Sequence, residues 1–230
     1  MSATDLSAAP GGPTCLALRT VHTVGHSTRP LETLLALLEA HRIEHLVDVR
    51  RWPSSRRFPH FHREPLAAAL AGRGIAYTWR EDLGGYRRPE AASPNTGWRV
   101  GAFRAYADFM LTEAFERIMA DLEALAARQR VALMCAEAVP WRCHRQLLAD
   151  AFLVRGWAVR HILEDRCEAH RLPPFARVEG RRLLYPGPPP AAPRRPSRPA
   201  PPAPGASPPS SAPPPSTRPR RASPSRRRWK

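Results

Sequence analysis

Val131-Ala-Leu-Met-Cys135-Ala-Glu137-Ala-Val-Pro140-Trp-Arg142-Cys143-His144-Arg145 is the stretch that decides the fold. Five apolar residues ending in a thiol read as a strand buried on both faces. The acid and the proline that follow signal a loop. A helical pattern then opens at Arg142 and runs to Arg155, where Gly156 ends it. A buried strand, a short loop and a helix make half of a parallel crossover.

The flanking sequence repeats this alternation. Strands are expected at Leu16–Val24, Leu46–Val49, Ile75–Trp79 and Trp157–Leu163, with a short β-segment near Arg182–Tyr185. Helical stripes run from Leu31 to about His41, over Leu66–Arg73 closed by Gly74, and over Phe103–Met110 and Phe115–Arg128. Ser27 or Thr28 is placed to cap the first helix, with Pro30 in its first turn. A long loop runs from Leu83 to about Gly101, a length that marks function or mobility. The order βαβαβααβαβ predicts an α/β fold, a single domain over residues 15–185. Its sheet is open, mainly parallel, of about five strands, with helices on both faces.

Composition separates this domain from its ends. The chain has 230 residues and a net charge of +16. Residues 186–230 hold seventeen prolines, ten of the 36 basic residues and no acid, which leaves +6 for residues 1–185. Such a Pro/Arg-rich tail cannot build a core and is expected to be disordered, as is the small, polar segment 1–14. Its arginine clusters suit non-specific contact with nucleic-acid phosphates. The first residues lack the basic start and apolar core of a signal peptide. No apolar run is long enough to span a bilayer. Four cysteines without a disulfide framework fit a cytoplasmic protein with no membrane contact.

In open α/β sheets, ligands bind beyond the carboxyl ends of the strands. Gly25-His26-Ser27, Asp48-Val49-Arg50, Leu83-Gly84-Gly85-Tyr86-Arg87 and Cys135-Ala136-Glu137 each follow a strand, so a parallel sheet gathers them at one edge. The candidate catalytic residues are Cys135, Cys143, His144 and Glu137. A thiol in the first turn of a helix beside arginine ionises readily, and a neighbouring imidazole can move its proton. Candidate anion-binding residues are His26, Ser27, Asp48, Arg50, Gly84, Gly85, Arg87 and Arg145, the last at a helix N-terminus. Each has a plainer role open to it: packing for the cysteines, ion pairs for Glu137 with Arg50, Arg87 or Arg145. A zinc site is disfavoured, because the Cys-x2-Cys spacing is missing and arginines crowd the region. No metal and no cofactor are implied.

Thr23-Val24-Gly25-His26-Ser27, Val47-Asp48-Val49-Arg50, Pro53-Ser54-Ser55, Pro59-His60-Phe61, Leu83-Gly84-Gly85, and Cys135-Ala136-Glu137 with Cys143-His144-Arg145 together resemble the domain-of-unknown-function family 488. The resemblance covers roughly residues 20–165 and implies one α/β domain, with no established activity to carry over. The expected function is that of a cysteine-dependent hydrolase or transferase acting on a small anionic substrate, bound through phosphate or carboxylate. A nucleic-acid or nucleotide-binding module without catalysis, and a metal or redox site, are the alternatives.

Overall fold

Side chains alternate across a strand, so each buried strand feeds two cores. In the computed structural model, which describes residues 19–164 and 166–188, the strand at the heart of the sheet does this along its whole length. Val131, Leu133 and Cys135 point into one apolar cluster, while Ala132 and Met134 point into another. The segment 1–14 and the arginine clusters of the tail lie outside the described residues.

The elements of the sheet are β1 (Thr20–Gly25), β2 (His45–Asp48), β3 (Ala76–Trp79), β4 (Val131–Cys135), β5 (Ala158–Ile162) and β6 (Cys167–Ala169). The strand order is β3-β2-β4-β1-β5-β6, parallel except for the β5–β6 pair. Helices α1 (Leu31–Ala40) and α2 (Arg63–Ala71) cover one face through Leu34, Leu35, Leu38, Leu66 and Leu70. Helices α3 (Gly101–Phe109), α4 (Glu113–Ala126) and α5 (Arg145–Val154) cover the other. The fold is therefore the expected α/β sheet with helices on both faces.

Several details differ from expectation. The sheet has six strands; the extra one, β6, has three residues and too little apolar pattern to announce itself. The expected short β-segment is present as Arg182–Leu184 (β8), and its partner is Arg177–Glu179 (β7) in a separate two-stranded ribbon. Neither Ser27 nor Thr28 caps α1: Pro30 holds the cap position without a side-chain bond, and Ser27 sits at φ 51°. Helix α5 begins at Arg145 and not at Arg142, because Pro140–Arg142 closes a 3-10 turn and Cys143 is extended. The long loop is tied down. Asp108 accepts hydrogen bonds from Glu90 N, Ser93 Oγ and Asn95 Nδ2, and Asn95 Oδ1 in turn accepts from Tyr185 N.

This topology opens a crevice. β1 and β2 send the chain to α1 and α2 on one face, whereas β4, lying between them, sends it to α5 on the other. The loops part at the carboxyl edge, the usual place for a ligand.

Candidate functional site

At that edge β1 and β4 end in register, Gly25 beside Cys135. The pairing continues past the strands, with His26 N donating to Cys135 O at 3.0 Å and Ser27 N to Ala136 O at 2.9 Å. Gly25 is what allows this approach. A Cβ there would stand 1.8 Å from Glu137 O, closer than any side chain tolerates. The loop after β4 thus folds over β1, and a cleft of about 620 Å³ forms beside it. His26, Ser27, Arg50, Gly85, Cys135, Glu137, Cys143 and His144 line this cleft.

Asp48 and Arg50 form its charged floor. Asp48 is fully buried and accepts from Arg50 N at 3.0 Å, from Arg50 Nε and Nη2, and from Tyr77 Oη at 2.8 Å. Burial works against the Arg50 charge, but the Asp48 carboxylate overcomes it and pushes the guanidinium pKa up. Arg50 Nη1 then donates to His26 Nε2 at 3.2 Å. That fixes the His26 tautomer: Nδ1–H donates to Ser27 O at 3.0 Å. Burial and the Arg50 charge lower the His26 pKa to about 4. His26 is therefore neutral near pH 7, and its Nε2 accepts from the Arg50 guanidinium.

The thiols form the opposite wall. Cys143 Sγ receives Arg145 N–H at 3.5 Å and Arg145 Nε–H at 3.4 Å, and lies 3.7 Å from His144 Nδ1. The Arg145 side chain is 1 % exposed and pairs with no carboxylate among the described residues; its Nη2 donates to Glu137 O. Its nearest anionic partner is the sulfur. Burial resists ionisation of Cys143, but hydrogen bonds from Cys135 and His144, with the charges of His144 and Arg145, outweigh it and hold the thiol well below its usual range. The same hydrogen bond to Cys143, with burial, pushes Cys135 up. Of the two thiols, ionisation is favoured at Cys143 and disfavoured at Cys135. His144 Nε2 lies 3.0 Å from Val49 O, which leaves Nδ1 turned to the sulfur. Gly85 packs against that ring: a Cβ there would stand 2.7 Å from His144 Nδ1.

Some expected residues fall elsewhere. Arg87 lies outside the cleft lining, with its guanidinium 3.3 Å from the Phe109 ring centre and its Nη2 bonded to Asp82 O. Gly84 packs on Arg51, where a Cβ would meet Arg51 Cα at 2.8 Å. Asp48 and Arg145 stand behind the wall and hold Arg50 and Cys143. The Glu137 carboxylate is exposed at the cleft and pairs with none of Arg50, Arg87 and Arg145. Sequence reasoning placed Tyr86 and Arg142 in segments that reach the site but missed Arg51, Trp52 and Phe103 as lining residues. Trp52 and Tyr86 are 58 % and 76 % exposed, with ring centres 4.7 Å apart at the mouth. Two large exposed aromatics in loops after strands were the available signal.

The ligand atoms of Cys135, Cys143 and His144 lie within 4.8 Å of one another, a donor set that suits a thiophilic divalent cation. Arg145, with its Nε 3.4 Å from Cys143 Sγ, places a positive charge beside that position and opposes a cation there.

No curated protein and no solved structure matches the chain. Residues 30–152, which carry Asp48, Arg50 and the whole Cys135–Arg145 segment but not His26 or Ser27, match the family described as Domain of unknown function DUF488. More than half of the chain is covered by that match, and the chain belongs to this family.

Proposed function

We propose that the cleft is the active site of a thiol-dependent hydrolase or transferase acting on a small anionic substrate. The observation that carries this reading is the buried Arg145 whose counter-charge is the Cys143 sulfur. A buried guanidinium without a carboxylate favours thiolate over thiol, and the thiolate is the nucleophile. Arg50 and Arg142 offer guanidiniums to the substrate's phosphate or carboxylate. Trp52 and Tyr86 offer an apolar surface to the remainder of the substrate.

The thiol proton of Cys143 passes to His144 Nδ1. The sulfur donates its electron pair to the electrophilic centre, the bond to the leaving group breaks, and the leaving group takes the proton from Nδ1. Water or a second acceptor then attacks the sulfur-linked intermediate. It gives its proton to Nδ1, and Cys143 departs as thiolate. Cys135 S–H donates to the sulfur in the resting state and orients it.

Alkylation by iodoacetamide, followed by mass spectrometry across pH, tests the reading. Cys143 is expected to react near neutral pH, faster than Cys167, with the fast phase lost in Cys143→Ser and kept in Cys135→Ser. Slower reaction at Cys143 than at Cys167 would remove the nucleophile. Stoichiometric zinc in freshly purified protein would replace the reading with a metal site.

A further inference from the structure

We propose that a second binding site, for a small polyanion of the pyrophosphate class, lies at the amino-terminal edge of the sheet, opposite the thiol cleft. A pocket of about 340 Å³ is formed there by Thr20 and His22 of β1, Ala40 and His41 at the end of α1, Arg42, Arg130 and Arg160. Every ionisable side chain among the described residues of this lining is basic, and none of those residues lines the thiol cleft. Arg42, Arg130 and Arg160 form no ion pair with a described carboxylate. The carboxylate of Glu44, close by, accepts from the backbone N–H of Arg130 at 2.6 Å.

A second, independent observation is His22. It is 7 % exposed, its ring feels a backbone hydrogen bond at Val131, and its buried Nδ1 has no hydrogen-bond partner among the described residues. Buried polar atoms without partners are uncommon and call for one. Burial first, and then the charges of His41, Arg130 and Arg160, lower the His22 pKa to about 4. An anion relieves that repulsion.

The chemistry narrows the ligand. Arg160 Nε and Nη2 donate to Cys167 Sγ at 3.5 Å and Cys167 O at 3.3 Å, and Arg130 Nη1 to His41 O at 3.5 Å; the N–H groups left on these two and the Arg42 guanidinium suit phosphate oxygens and exceed what a single monoanion needs. Among the described lining residues Ala40 is the sole apolar one, so they offer little to hold a ring or an acyl chain. The ligand is therefore compact and densely charged.

Isothermal titration of the full chain with inorganic pyrophosphate tests the site, using Arg42→Gln/Arg160→Gln and, at the other cleft, Arg142→Gln. The three arginines are exposed, so these substitutions leave the core intact. The double variant keeps the arginine-rich tail, so any binding by the tail is common to all three proteins. Saturable binding is expected, with one class of sites weakened roughly tenfold per lost arginine in the double variant and retained in Arg142→Gln, whatever that variant loses at the thiol cleft. Absence of binding, equal binding by the double variant, or a loss confined to Arg142→Gln overturns the proposal. Binding of an oligonucleotide but not of pyrophosphate overturns it as well. As a second readout, the His22 ring resonances are expected to shift on adding pyrophosphate; no shift counts against the site.

Discussion

Two buried carboxylates, Asp48 and Asp150, are built from nearly the same parts and differ in one. Both are fully buried, and both accept a tyrosine hydroxyl, from Tyr77 at 2.8 Å and from Tyr185 at 2.6 Å. Asp48 adds a guanidinium, which carries its charge to the cleft. Asp150 adds His170 at 2.6 Å, which continues through His161 to Thr23 Oγ1 and ends inside the protein. A guanidinium keeps its charge at any working pH, whereas an imidazole can give it up. The Asp48 network therefore holds a permanent cation at the site. The Asp150 network joins α5, β5 and the C-terminal Tyr185 into one unit.

The largest expected effect breaks the first network. Asp48→Asn leaves Arg50 buried, charged and uncompensated, at a cost of about 3–5 kcal/mol in urea unfolding. Asp150→Asn is expected to cost less, about 1–3 kcal/mol, because it removes hydrogen bonds without stranding a permanent charge. Equal losses in the two variants would erase the distinction between them.

Acid titration separates the networks next. His22 and His26 have pKa values lowered to about 4, and His161 to about 3, in each case first by burial. The unfolded chain therefore binds more protons than the folded one below about 6.5. The stability these neutral histidines confer is present above that pH and is lost as pH falls towards 4, at up to about 1.4 kcal/mol per pH unit for each. Asp150, pushed up by burial against its hydrogen bonds, works in the opposite direction and recovers part of the loss at the acid end. Urea midpoints between pH 7 and 4 are expected to fall, and His161→Gln is expected to reduce the slope by one proton. A flat profile in the wild type would contradict neutral burial.

The smallest effect on stability is expected at the thiol wall. Gly85→Ala pushes the His144 ring aside at about 1 kcal/mol. Alkylation of Cys143 is expected to slow by roughly tenfold as His144 leaves the sulfur. An unchanged rate would mean that Arg145 alone sets the reactivity.

Where the sequence carried a periodic or positional signal, it located its element. Strand Val131–Cys135 has the bounds expected of it. The gathering of His26, Ser27, Arg50, Gly85, Cys135, Glu137, Cys143 and His144 followed from strand ends in a parallel sheet. Where the signal was short, it failed: β6 has three residues, and the 3-10 turn at Pro140–Arg142 mimics the start of a helix. Arg87 illustrates a different limit. Its position after β3 suited an anion site, but the rings of Phe109 and Tyr106, distant in sequence, captured its guanidinium.

The sequence by itself determined the α/β alternation, the family and the edge at which chemistry gathers, because hydrophobic periodicity and strand-end loops are local properties. Only the tertiary structure decided what each polar group does there. Asp48 serves Arg50, burial lowers the His26 pKa, Arg145 faces Cys143, and Glu137 forms no ion pair among the described residues. Charge state depends on burial and on partners from other strands. Those partners, from Gly25 against Glu137 to Gly85 against His144, meet only when the sheet has brought distant loops together.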